Sequence, residues 1–200
     1  MIRIALILAA LLPIGFANAA DTNVPIVTFA NTAAARVQTA GTASLTRTAD
    51  RFNISLYAKG LVAGHAYTLV VINFNNPGAC KRVDFTTCDF IADSAGLGGN
   101  PFVTPTIVFL TGGRADSNGE ASFNGKLERG AVGLTGRQVI EGTGAYNMTG
   151  AEVQVLIRDM GVAGAGGVDV FNQVTNIYAG CTGNGGTNVC APKQIVTFTP

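Results

Sequence analysis

The sequence has no tryptophan, a single histidine and little charge. Asp, Glu, Lys and Arg make up 12% of it, about half the roughly 25% usual in soluble proteins. A nucleic-acid binder, a coiled coil and a charged disordered tail all need more charge than that. One histidine excludes a redox copper centre built from several imidazoles. Long helices are disfavoured too, because 26 of the 200 residues are glycine and each costs about 1 kcal/mol inside a helix. No apolar run reaches the roughly 20 residues of a membrane span. Apolar residues, by contrast, form 48% of the chain, enough for one buried core.

Residues 1–19 read as a secretory signal peptide. Met1-Ile2-Arg3 is a short basic start, residues 4–12 are an unbroken apolar run ended by Pro13 and Gly15, and Ala17-Asn18-Ala19 offers small residues for cleavage. The mature chain, residues 20–200, is expected to be a single domain that is secreted or periplasmic, with no membrane span after cleavage. Removing Arg3 from the 13 basic residues balances the 12 acidic ones. A neutral chain has no electrostatic reason to seek nucleic acid or anionic lipid.

Four cysteines lie in the mature part: Cys80, Cys88, Cys181 and Cys190. An even number in an exported chain reads as two disulfides. Short loops lose the least entropy on closing, so Cys80 is expected to pair with Cys88 and Cys181 with Cys190. The rival bond, Cys80 to Cys190, would tie a mid-chain loop to the last strand. A zinc site would need tighter cysteine spacing.

Strand patterns dominate. Residues 44–48 alternate around Leu45 and Arg47, Asp50-Arg51 can turn, and Phe52, Ile54, Leu56 and Ala58 then share one face. Residues 67–74 are apolar on both faces, which predicts a central strand. A long loop to about Pro105 follows, then a second apolar strand at 106–110, the turn Asp116-Ser117-Asn118-Gly119, and alternating Ala121, Phe123 and Leu127. Residues 153–158 and 195–198 read as strands, with Arg158-Asp159 marking an exit. Residues 168–177 suit either a weak strand or a short helix. The expected fold is all-β: a single antiparallel two-sheet sandwich of Ig-like or Greek-key type, with long disulfide-bonded loops.

The segments Gly60-Leu61-Val62-Ala63-Gly64-His65-Ala66-Tyr67, Asn75-Asn76-Pro77-Gly78-Ala79-Cys80, Ala115-Asp116-Ser117-Asn118-Gly119-Glu120-Ala121 and residues 151–159 occur in an order that resembles two secreted sandwich families. These are the copper-zinc superoxide dismutase-like proteins and the chordin-type (CHRD) domains. The pattern Gly64-His65-Ala66-Tyr67-Thr68 with Asn75-Asn76-Pro77 also resembles small secreted bacterial proteins to which no activity attaches. The resemblance implies a sandwich fold. It does not bring the metal site, because the copper-ligand places fall at about Leu69 and Val71 and the other metal-site histidines are absent.

Candidate chemistry is sparse. His65 stands alone before the central strand, either capping a turn or serving as a base beside the acidic loop 84–93, which holds Asp84, Asp89 and Asp93. No Gly-x-Ser-x-Gly elbow supports a triad; Ser94 lacks the first glycine. Residues 116–120 look like a calcium loop but have Leu127 where a bidentate glutamate belongs. Asn53-Ile54-Ser55 and Asn147-Met148-Thr149 are glycosylation sequons. No catalytic, cofactor or metal residue is assigned. The expectation is an exported, non-catalytic binding or structural module of the envelope or the extracellular space, using loops 75–105 and 178–192 to contact an unknown ligand or envelope component. The alternative is a hydrolytic or metal-assisted enzyme centred on His65 and the acidic loop 84–93.

Overall fold

A computed structural model describes residues 19–30, 35–81, 87–89, 93, 100–130, 139–142, 144–175 and 191–200. Its strands are β1 (Ala19–Thr28), β2 (Gln38–Arg47), β3 (Arg51–Ala58), β4 (His65–Phe74), β5 (Pro105–Arg114), β6 (Ala121–Glu128), β7 (Val139–Glu141), β8 (Glu152–Val162) and β9 (Pro192–Phe198), and the helix α1 covers Val170–Thr175.

Among the described residues these nine strands form one antiparallel sheet, in the order β6-β3-β2-β1-β9-β8-β4-β5-β7. Apart from the three-residue β7, the strands curl nearly into a barrel. The division into two sheets expected from the sequence is therefore not what the hydrogen bonding shows. The two halves are joined by a narrow seam, Val27 opposite Ile195 and Thr28 opposite Gln194. On the far side β5 lies against β6 without pairing to it, and a Cβ built on Gly125 would come within 2.4 Å of the Leu110 side chain. A side chain there would have to push Leu110 aside.

The alternating patterns explain the roll. In β3 every second residue is buried: Phe52, Ile54, Leu56 and Ala58. They face Leu45, Leu69, Val71, Leu110, Val155 and Val196 in the principal core, inside the curl. The reading of β4 as a central strand is borne out, since it pairs with β5 on one side and β8 on the other. Leu69, Val70, Val71 and Ile72 are all buried. The outward residues of β4, Val70, Ile72 and Phe74, belong to a second core with Phe109, Leu156 and Ile195. Register shifts within β4–β5 and β4–β8 mark bulges, which bend strands and raise their twist.

The Cys80–Cys88 disulfide is formed, which excludes the rival bond to Cys190. Cys181 and Cys190 lie outside the described residues. The described parts of the loop after β4 are mixed: Phe102 is 75% exposed, while other residues turn inward. Cys88, Asp93 and Val103 are buried, and Cys88 and Val103 pack into the second core. An apolar outer face on β4, β5 and β8 needs a cover, and this loop supplies it.

One further expectation is corrected and two points are settled. The turn at 116–120 forms, but it does not join paired strands, because β6 pairs with β3 and not with β5. Strand β8 does not end at Arg158-Asp159; it runs to Val162 with Asp159 buried inside it. Residues 170–175 take the helical option, and Val174 packs on Ala66 and Met160.

Candidate functional site

Period-two patterning carries three polar residues into the interior at strand ends. Ala43 and Leu45 lead to Arg47; Val153, Val155 and Ile157 lead to Asp159; Phe198 and Val196 lead back to Gln194. Arg47 closes one mouth of the curl. Its guanidinium donates to the carbonyls of Ala151 and Thr199 (2.9 Å to the latter) and faces Asp21 at 3.4 Å. Burial lowers its pKa, with Asp21 acting in the opposite sense.

The other mouth is built differently. Tyr67, directly opposite Asp159 in the β4–β8 pairing, accepts a hydrogen bond from the Val62 amide at 2.8 Å and donates to Asp159 Oδ2 at 3.4 Å. Burial pushes its phenol up to about 12, so it stays neutral in ordinary conditions. Asp159 Oδ1 also accepts from the Gly161 amide at 2.8 Å and lies 2.9 Å from His65 Nδ1. The Asp159 carboxylate thereby fixes the orientation of the only imidazole.

Above Tyr67 a cleft of about 460 Å³ opens at the seam between the two halves of the sheet. That volume falls within the roughly 300–1,000 Å³ range of small-molecule sites, which often occupy barrel mouths. Thr28 and Gln194, the last pair of the seam, form one wall; Thr39 and Ala40 of β2 form the next. Lys59, Leu61, Val62 and Lys193 complete the rim. Gln194 is 4% exposed. Its Nε2 donates to the Lys59 carbonyl at 2.6 Å, while its Oε1 has no donor. An unsatisfied buried acceptor costs about 1–3 kcal/mol, and here it belongs to a residue lining the cleft.

The two lysines differ in state. Lys59 Nζ pairs with Glu120 Oε1 at 2.9 Å, and the Tyr57 hydroxyl donates to the same carboxylate. Those hydrogen bonds, Tyr57 first and Lys59 second, hold Glu120 below its ordinary pKa. Lys193 has no ion-pair partner among the described residues.

The residues singled out in the sequence are not brought together. His65 opens β4, whereas Cys88 is bound at its far end, where Glu152 Oε1 accepts from the Cys88 amide at 2.8 Å and Gln154 Nε2 donates to the Cys88 carbonyl at 2.7 Å. Seven to nine strand residues separate the two places, on the order of 25 Å. Asp93 accepts from the amides of Lys81 and Asp89, both at 2.8 Å; Asp84 and Ser94 lie outside the described residues. The Asp116 carboxylate binds its own turn through the amides of Asn118 and Glu120, as a turn reading requires. In β3, Asn53 is exposed with Ser55, which donates to Asn124 at 2.8 Å. Asn147 holds a second turn, accepting from Gly150 and donating to the Asn75 carbonyl.

The fold and the site define an antiparallel β protein with a lined cleft at one mouth of a nearly closed curl. No known family model matches the chain, and neither the curated proteins nor the solved structures show significant similarity to it.

Proposed function

We propose that this is an exported, non-catalytic binding module whose ligand occupies the mouth cleft. The observation that carries the reading is the cleft itself, about 460 Å³ at the mouth beside the seam, with Lys59, Leu61, Val62, Lys193 and Gln194 on its rim. The contact surface of this reading is the rim formed by residues 59–62 and 193–194.

Export in mature form from about Ala20, to the periplasm or the medium, belongs to the same proposal. Its support is the Cys80–Cys88 disulfide, a bond that persists in oxidising compartments. The finer fold reading is a Greek-key sandwich related to the dismutase-like and chordin-type families, with the two halves of the sheet on either side of the seam as its layers. The narrowness of the seam supports it.

A fragment screen followed by backbone amide shifts tests the binding reading. Hits should concentrate on Lys59, Leu61, Val62 and Gln194, and Ala40→Trp, which lays an indole over the rim from an exposed position, should abolish them. A screen without hits there overturns it. One observation favours the enzyme alternative: His65 Nδ1 is held by a buried carboxylate, an arrangement that suits Nε2 to act as a base. Hits gathered at His65 and Gly161, with their loss in His65→Ala, would favour that reading.

A further inference from the structure

We propose that the Cys80–Cys88 bond is a one-sided exchange site for a low-molecular-weight thiol, which joins Cys80 while the buried Asp93 carboxylate holds back the departure of Cys88. The proposal is independent of the mouth cleft, since the disulfide lies at the far end of β4.

Access is the first constraint. Cys88 is 2% exposed and belongs to the second core, whereas Cys80 packs against that core only partly buried. Thiol exchange depends on which sulfur an incoming thiolate can reach, and of these two residues only Cys80 has an open side. Cys80 therefore takes the incoming group, and Cys88 is the sulfur that leaves.

Charge is the second constraint. Asp93 is fully buried, and one of its carboxylate oxygens lies within 4.8 Å of both sulfurs. No ion pair to Asp93 forms among the described residues. Its two oxygens are fixed by the amides of Lys81 and Asp89, each at 2.8 Å. Opening the bond puts a negative charge on Cys88 Sγ, in apolar surroundings and beside a group that is already negative. Both features disfavour a thiolate, and a sulfur that resists ionisation leaves slowly.

The step balances with the thiol alone. The attacking thiolate forms a bond to Cys80 Sγ, the Cys80–Cys88 bond breaks, and its electron pair stays on Cys88 Sγ, which then takes a proton from water. The incoming sulfur is oxidised and Cys88 is reduced. Asp93 binds the residues that directly follow Cys80 and Cys88, which keeps the two segments together. Cys88 thus remains placed to expel the thiol and close the bond again.

Reduced glutathione, added to the protein with its disulfide formed, tests the proposal. Acid quenching and non-reducing peptide mapping follow the Cys80 and Cys88 peptides alone. The glutathione adduct should sit on Cys80, and Asp93→Asn should speed opening about tenfold. That variant also loses one acceptor, so loosening is read separately from exchange of the Cys88 amide, which donates to Glu152 Oε1 at 2.8 Å. The gain in opening should exceed the gain in that exchange. An adduct on Cys88, or on both cysteines equally, overturns the proposal. So does an Asp93→Asn variant that opens at the unchanged rate, or one whose opening and amide exchange rise by the same factor. A bond that opens only on global unfolding overturns it too, because neither sulfur is then accessible in the folded chain.

Discussion

Replacing Asp93 by alanine should detach the cover of the second core. The side chain is fully buried, and its two oxygens accept from the amides of Lys81 and Asp89. Those residues directly follow Cys80 and Cys88, so the carboxylate and the disulfide clamp the same two segments. A hydrogen bond to a charged acceptor is worth about 1.5–3 kcal/mol. Lys81 is exposed, so water can satisfy its freed amide and the total falls to about 2–4 kcal/mol. The disulfide spans eight positions, and chain entropy gives it about 2.5 kcal/mol. Two clamps on one pair of segments should be coupled. Urea unfolding of Asp93→Ala, of Cys80→Ser with Cys88→Ser, and of the combination should show a combined loss exceeding the sum by roughly 0.5–3 kcal/mol. Exchange at the Lys81 and Asp89 amides should accelerate in the single Asp93 variant. A loss below about 1 kcal/mol for Asp93→Ala, or additivity of the two changes, would refute the reasoning.

Other outcomes follow from the packing. Gly125→Ala should cost about 1–3 kcal/mol by overpacking against Leu110, and Leu110→Ala in the same chain should recover part of it; no cost would mean that β5 and β6 do not meet. Leu69→Ala should cost roughly 2–5 kcal/mol in denaturant unfolding, and a negligible loss would contradict a central β4. The Tyr67 phenol is pushed from 10 to about 12 by burial, so the fold favours its protonated form. Stability should hold below pH 10 and fall by about 2–3 kcal/mol as pH rises from 10 to 12. Tyr67→Phe should flatten that part of the fall, and an unchanged profile would show that Tyr67 ionises freely in the folded chain.

The core was legible where alternation was clean. Phe52, Ile54, Leu56 and Ala58, and the doubly apolar stretch at residues 69–72, announce their burial because strand side chains alternate faces. Sheet connectivity was not legible, because it depends on which strand edges meet: the seam rests on Val27 with Ile195 and Thr28 with Gln194, far apart in sequence and unmarked in composition. The turn at 116–120 looks the same whether it joins neighbours or crosses between halves. The site hid for a related reason. Gln194 and Asp159 occupy the inward places of rows set by Val196 and Phe198 and by Val155 and Ile157. Extending those rows by one step would have found both. Strand ends, however, are where polar residues are ordinarily read as exits to solvent. His65 was visible as the only imidazole, but its carboxylate lies 94 residues away and no local spacing signals it.

The central claim is that Gln194 spans the mouth from β9 to the end of β3, holding one wall of the cleft through its bond to the Lys59 carbonyl. Its side-chain amide protons report on this directly in a nitrogen-edited NOE spectrum. The account predicts a pair of slowly exchanging Nε2 protons with cross-peaks to Ala58, Lys59 and Gly60, undisturbed by Lys193→Gln. Rapidly exchanging protons with cross-peaks to water alone would contradict it.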